Sequence, residues 1–331
     1  MRRFALICSL DQFLYPFFTP AYRVPQLNNP KSQGYHNLTY ANHTLSDPLL
    51  TPQGESQCKD LSAEFPHHAQ IDLIVASPLR RTLYTALLAF EDQIKSRGLK
   101  IIALPEIQET SDVPCDVGSD LELLEKEVTE KGLPVDLKLV GEGWNSKTGK
   151  WAPTAEAIED RAREARRWLK SRPEKEIVIV SHGGFLHYFT EDWQDSTLYQ
   201  VTKRKPSPNN YTNVRPSPTY PGTGWRNTEY RTYTFSDLVH QDDLYGRPLG
   251  GDNATIQETP ESRLRRGKSP EVPPRALRKQ FFIQAMKGWE NQVLDWAKQE
   301  ETKTGTTAGI EARSGDKVVR GEDWEEESVY A

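Results

Sequence analysis

Three short segments carry side chains suited to holding phosphate. SPLRRT places Arg80 and Arg81 in what reads as the first turn of a helix, where unpaired backbone N–H groups already favour an anion. PEIQETSDVPCDVGS sets Glu109 just beyond an apolar run. VSHGG puts His182 at the tip of another, with Gly183 and Gly184 letting backbone N–H groups approach a ligand closely. A guanidinium, an imidazole, a carboxyl group and bare amides suit phosphoryl transfer, in which positioning and charge stabilisation do most of the work. Taken singly, each has a plainer reading: a histidine satisfied at a strand end, a solvated loop acid, an arginine paired with a helix carboxylate.

The elements around these segments alternate. IDLIVA at 71–76 is a short β-branched run, followed by Ser77 and Pro78 as cap and first turn of a helix that Gly98 ends. KIIALPEI at 100–107 reads as the next strand, and EIVIVSHGGFLHYF at 176–189 as a buried strand passing through two glycines into a helix. Thr51 and Pro52 open a helix over about 52–65, and Ala155, Ile158, Ala162, Ala165 and Leu169 share one helical face. Apolar strands alternating with amphipathic helices predict right-handed βαβ units, hence a three-layer α/β/α domain with a mainly parallel sheet. Such sheets place ligands at the carboxyl ends of their strands, where all three segments lie. WRNTEYRTYTF at 225–235 resumes an alternating strand, and the ordered domain is expected to close there. Beyond it, Gly, Pro, Glu, Arg and Ser dominate, which predicts a disordered C-terminal tail over 239–331 apart from a helix near 274–299.

With 331 residues, the chain is long enough for one large domain and an appendage. Its 42 basic and 47 acidic residues leave a net charge of −5, which offers no global attraction for nucleic acid or an anionic membrane. Three cysteines without a CxxC pair suggest neither a disulfide framework nor structural zinc, and point to the cytoplasm. The opening MRRFALICSLDQFLYPFF superficially matches a secretion signal, but Asp11 interrupts it and a buried strand is the better reading. His182 and His187 lack a third ligand at an accepted spacing, so no metal is expected. His67 and His68, after Pro66, read as solvent-exposed.

In QGYHN, DPLLTPQGESQ, SPLRRTLYT, LPEIQETSDVPCDVGS and VSHGG, taken in order from about Gln33 to Phe235, the chain resembles the histidine phosphatase superfamily, also called phosphoglycerate mutase-like, and especially its fungal cytosolic members. The resemblance implies that fold and a metal-independent, cofactor-free phosphoryl transfer through a phosphohistidine. By motif, it makes Arg81 and His182 the phosphate ligands, with Gly183 beside them, Glu109 the proton donor, and Asn37 the asparagine that follows the nucleophile motif. The motifs in this order turn the plain readings of the three segments into a pocket for a small phosphomonoester.

One part of the pattern is missing. The superfamily opens with an apolar strand ending in Arg-His, whose histidine is the nucleophile, and counting back from Asn37 places that pair at Pro30 and Lys31. None of the seven histidines follows an arginine, and PQLNNPKS cannot be a central strand. Lys31 would attack phosphorus only as a neutral amine, and His36 would require moving the nucleophile several residues. FALICSL can replace the lost strand at the cost of about twenty intervening residues. Residues 1–32 are therefore read as an atypical segment ahead of the domain at 33–238, arising by genuine loss or by a misread exon boundary. The expectation is a chain inactive as written and weakened by unpaired neighbouring strands, with a non-catalytic phosphate-binding or interaction protein as the alternative. In the tail, RLRRGK at 263–268 is a basic patch with nuclear import as one reading. Leu277, Phe281, Ala285, Trp289, Val293 and Trp296 share a helical face that packs on this protein or captures a partner.

Overall fold

Arg3–Cys8 forms β1, the strand on which the two halves of the sheet meet. The computed structural model describes residues 3–9, 45–193 and 224–287, apart from 239 and 245. After β1 come α1 (Pro52–Glu64), β2 (Leu73–Ala76), α2 (Arg80–Ala89), α3 (Glu91–Arg97), β3 (Ile101–Ala103), α4 (Leu121–Glu130) and β4 (Val135–Asp136). Then follow α5 (Ala155–Ser171), β5 (Glu176–Ser181), α6 (Gly183–Thr190), β6 (Tyr230–Phe235), β7 (Ile256–Glu258), α7 (Pro260–Arg265) and a helix over 275–287, α8. The seven-stranded sheet runs β4-β3-β2-β5-β1-β6-β7. Its first five strands are parallel, while β6 is antiparallel to both β1 and β7.

Alternate β1 side chains enter two cores. Phe4, Leu6 and Cys8 join Val75, Ile177 and Ile179 beneath α5, α6 and α8, where Ile158, Ala162, Ala165 and Leu169 lie buried as their spacing predicts. Ala5 and Ile7 join Ile74, Val178 and Val180 beneath α1 to α4, so the three-layer architecture is present. The expectation of a missing strand is corrected here. FALIC supplies two apolar rows and a β-branched residue, and it pairs with β5 from Arg3↔Glu176 to Cys8↔Ser181 and with β6 on its other edge. No strand is needed at PQLNNPKS, which lies outside the described residues.

Local chemistry explains the helix ends. The Thr51 side chain accepts from Gly54 N at 3.3 Å, and Thr154 from Ala157 N at 3.3 Å. Gly98 ends α3 at φ 63°, the left-handed turn that glycine adopts without strain. Ser77 does not cap α2 as expected. Leu79 is the N-cap, and the Arg80 N–H is taken by Asp47 Oδ1 at 2.8 Å. Asp47 also accepts from Ser119 N and Oγ, both at 2.8 Å, and so ties the start of α2 to the loop before α4.

The ordered core does not close at 238. The chain beyond it is poor in apolar residues, and charge does the anchoring. Glu191, at the end of α6, lies 2.9 Å from Arg275 and 3.6 Å from Arg278, while Arg166 holds the Asn253 side chain at 3.0 Å. In the basic run at 263–268, Arg263 and Arg266 lie against Glu258, while the exposed Arg265 stacks on Tyr230. On α8 the inward face is Arg278, Phe282 and Ala285, rotated from the expected one, and Leu277 points outward. Trp289, Val293 and Trp296 lie outside the described residues. Among the described residues, no helix is long and apolar enough to cross a membrane.

One buried acid in this region sets a pH dependence. Glu159 of α5 faces Asp243, Glu191 and Arg247, with Asp160 alongside. Burial, then the charge and hydrogen bond of Asp243, push its carboxyl up to about 8, against the pull of Arg247. The folded state therefore keeps a proton that the unfolded chain releases. The stabilisation is complete below about pH 4.5 and is lost as pH rises toward 8, by on the order of 1 kcal/mol per pH unit. Glu159→Gln should hold its urea midpoint between pH 6 and 8 better than the parent chain does. Parallel losses in the two proteins would show that Glu159 is ionised in the fold.

Candidate functional site

β2 and β5 are neighbours, so the residues after their carboxyl ends, Ser77 to Arg81 and His182 to Gly184, converge. Arg80 and Arg81 separate at the start of α2. Arg80 turns outward to Glu127 at 2.9 Å, while Arg81 is only 3% exposed. Arg81 Nη1 donates to the Cys115 carbonyl at 2.6 Å, and Nη2 lies 2.9 Å from Asp116 Oδ1 and 3.0 Å from His182 Nδ1. Asp116 Oδ2 accepts from Ser111 Oγ.

These contacts determine where the His182 proton sits. A guanidinium only donates, so Nδ1 must accept from Arg81 and the neutral ring carries its hydrogen on Nε2, which donates to Ser77 Oγ at 2.9 Å. Burial, followed by the positive charges of Arg81, Lys147 and Arg161, drives the His182 pKa well below its ordinary value. The ring is therefore neutral at physiological pH, with a fixed tautomer.

Glu109 approaches from the other side. Its Oε1 accepts from Thr110 N at 2.8 Å and Phe185 N at 3.0 Å, and its Oε2 from Gly184 N at 3.4 Å, so the carboxyl sits at the N-terminus of α6. A Cβ on Gly184 would lie 2.7 Å from Oε1, which explains the absence of a side chain there. Gly183 is the buried first residue of α6. Arg161 Nη1 donates to the carbonyls of Glu106 and Gln108 at 2.9 and 3.1 Å, and fixes the segment after β3 that presents Glu109. Of the predicted residues, Arg81, Glu109, His182 and Gly183 thus come together. Asn37, Pro30, Lys31 and His36 lie outside the described residues.

The end of β1 enters the same region. Cys8 is in register with Ser181, and Ser9 N donates to the Ser181 carbonyl at 2.7 Å, so Ser9 follows β1 where His182 follows β5. Ser9 Oγ lies 3.2 Å from Thr85 Oγ1. Sequence reasoning missed Asp116, Ser9, Lys147 and Asp47. The signal for Asp116 was present, since an inward arginine beside an imidazole requires a carboxylate and the segment from Glu109 to Ser119 holds two more acids. His67 and His68 are half-buried rather than exposed, with His68 packed on Phe65. Among the described residues, no group of three His, Cys, Asp or Glu could hold a metal ion.

Comparison with known proteins adds four findings. The family model described as histidine phosphatase superfamily (branch 1) matches residues 36–226. A probable phosphatase of Schizosaccharomyces pombe is 28% identical over 151 residues, covering 44% of this chain and 68% of that protein. A phosphoglycerate mutase-like protein of Arabidopsis thaliana is 30% identical over 214 residues, covering 52% and 72%. Among solved structures, phosphoserine phosphatase from Entamoeba histolytica in complex with 3-phosphoglyceric acid superposes with a TM-score of 0.36 at 18% identity, over 75% of this chain and 94% of that one.

Proposed function

The chain belongs to the histidine phosphatase superfamily, and from that membership we propose that it retains the phosphate pocket of a metal-independent phosphomonoesterase and lacks the nucleophile. The observation that carries the reading is the end of β1. The strand that neighbours His182 ends in Cys8 and Ser9, where the superfamily has arginine and histidine. Ser9 has Thr85 beside it, and the His182 ring offers no base, because its Nδ1 lone pair is directed at Arg81 and its Nε2 carries hydrogen. The protein then acts as a phosphate-binding or interaction protein.

In this reading the ligand is the phosphoryl group of a small monoester. Arg81, oriented by Asp116, supplies charge-assisted donors. His182, Gly183 at the start of α6 and, by motif, Asn37 complete the contacts. An oxyanion seated beside Arg81 takes its guanidinium N–H while the His182 ring stays neutral. Glu109 stands where the leaving oxygen would receive a proton if the reaction were restored. The three buried cysteine thiols support a reducing, cytoplasmic setting.

The test pairs calorimetric titration with inorganic phosphate and an assay on p-nitrophenyl phosphate. Phosphate should bind weakly, Arg81→Ala should weaken it by about tenfold or more, and Glu109→Ala should not. Hydrolysis should stay at background, and the double variant Cys8→Arg, Ser9→His should raise it. Turnover lost on Ser9→Ala, Lys31→Ala or His36→Ala would instead identify a replacement nucleophile.

A further inference from the structure

We infer that Lys147 is a second cation of this pocket and binds an oxyanion from the side of Glu109. The inference rests on the phosphate-pocket reading above. Lys147 stands on the loop between β4 and α5 with a left-handed backbone, φ 55°, and is 8% exposed. Its Nζ donates to the Glu109 carbonyl at 3.0 Å, and among the described residues no carboxylate lies within ion-pair distance of it. An ammonium has three N–H donors, and burying it on a single neutral carbonyl is costly unless something else answers its charge.

The charges nearby show what that is. Asp116 and Glu109 attract Lys147, Arg161 and Arg81 repel it, and burial, the largest influence, lowers its pKa to about 8. The cations Arg81, Lys147 and Arg161 are matched by the carboxylates Glu106, Glu109 and Asp116 while His182 is neutral, so what Lys147 lacks among the described residues is an acceptor for its two remaining N–H groups. Arg161, which is buried, also has Nε and Nη2 without hydrogen-bond partners. An oxyanion held jointly by Arg81 and Lys147 supplies acceptors to those open ammonium donors. Because Lys147 touches the backbone of Glu109 itself, it grips the ligand on the leaving-group side.

Sulfate, which stays a dianion between pH 6 and 9.5, is the probe, titrated calorimetrically into the full chain. Lys147→Met should weaken binding about 10- to 100-fold at pH 7, the range for one lost charge-assisted hydrogen bond, and Lys147→Arg should restore most of it. In the parent chain, affinity should fall as pH rises through about 8, and in Lys147→Arg this fall should be absent. Unchanged sulfate binding in Lys147→Met, with Arg81→Ala still defective, would overturn the role of Lys147 and leave the pocket standing. Sulfate binding insensitive to both variants would remove the pocket reading itself. If Lys147→Met does not fold, a parent affinity that stays flat from pH 6 to 9.5 overturns the inference on its own.

Discussion

Asp116→Ala is expected to lower the stability of the fold by about 3–5 kcal/mol, the usual cost of breaking a buried ion pair by deleting one partner. Both side chains are out of solvent, with Arg81 Nη2 2.9 Å from Asp116 Oδ1. Removing the carboxylate takes a charged partner from the buried guanidinium and an acceptor from Ser111 Oγ. Denaturant unfolding measures the loss. Asp116→Asn, which keeps an acceptor oxygen, should lose less, and the pair Arg81→Met, Asp116→Leu should be more stable than Asp116→Ala, because no charge is left uncompensated. A loss below about 1 kcal/mol in Asp116→Ala would mean that the pair is hydrated.

This ion pair also marks the limit of what could be read before the fold was known. The apolar runs of β2 and β5 and the face of α5 were legible because burial on a sheet or under a helix imposes a period on adjacent residues. Arg81, Glu109 and His182 were legible because each sits in a short local motif. Asp116 and Lys147 were not, since their roles come from loops whose paths no periodicity specifies. β1 is legible as a buried strand at FALICSL, but its central place in the sheet is not, because the spacing from Asn37 points to residues 30–31 and only the flanking β5 and β6 show both of its inward rows in use. The segment after 238 read as disordered because its anchors are arginine–carboxylate contacts between distant positions, which composition does not distinguish from solvated charge.

Leu6→Asp is expected to abolish the fold. Leu6 is fully buried in mid-strand, paired with Ile179 on one edge and Arg231 on the other, and it faces the core under α5 and α6. Losing a buried leucine costs about 2–5 kcal/mol before the carboxylate is counted, against a typical total of only about 5–15 kcal/mol. Circular dichroism and soluble yield should both collapse. Leu6→Val, which keeps a branched apolar side chain, should fold with a modest loss. A soluble Leu6→Asp protein with the parent melting temperature would show that the sheet closes without β1, and would return the search for its central strand to the residues around Pro30.

The position of β1 also has a consequence for synthesis. Arg3 meets Glu176 across 173 residues, and its partners on β6 lie further on still. At roughly 5–20 residues per second, a ribosome needs about 10–35 s to make the strand that β1 pairs with. For that interval FALIC is an apolar strand with no neighbour on either edge, and β5 emerges before β6 can cover the far side. The contacts that complete the sheet are thus its longest-range ones, so they form late and make folding slow. A cell producing this chain must shield a short apolar segment for most of the time translation takes.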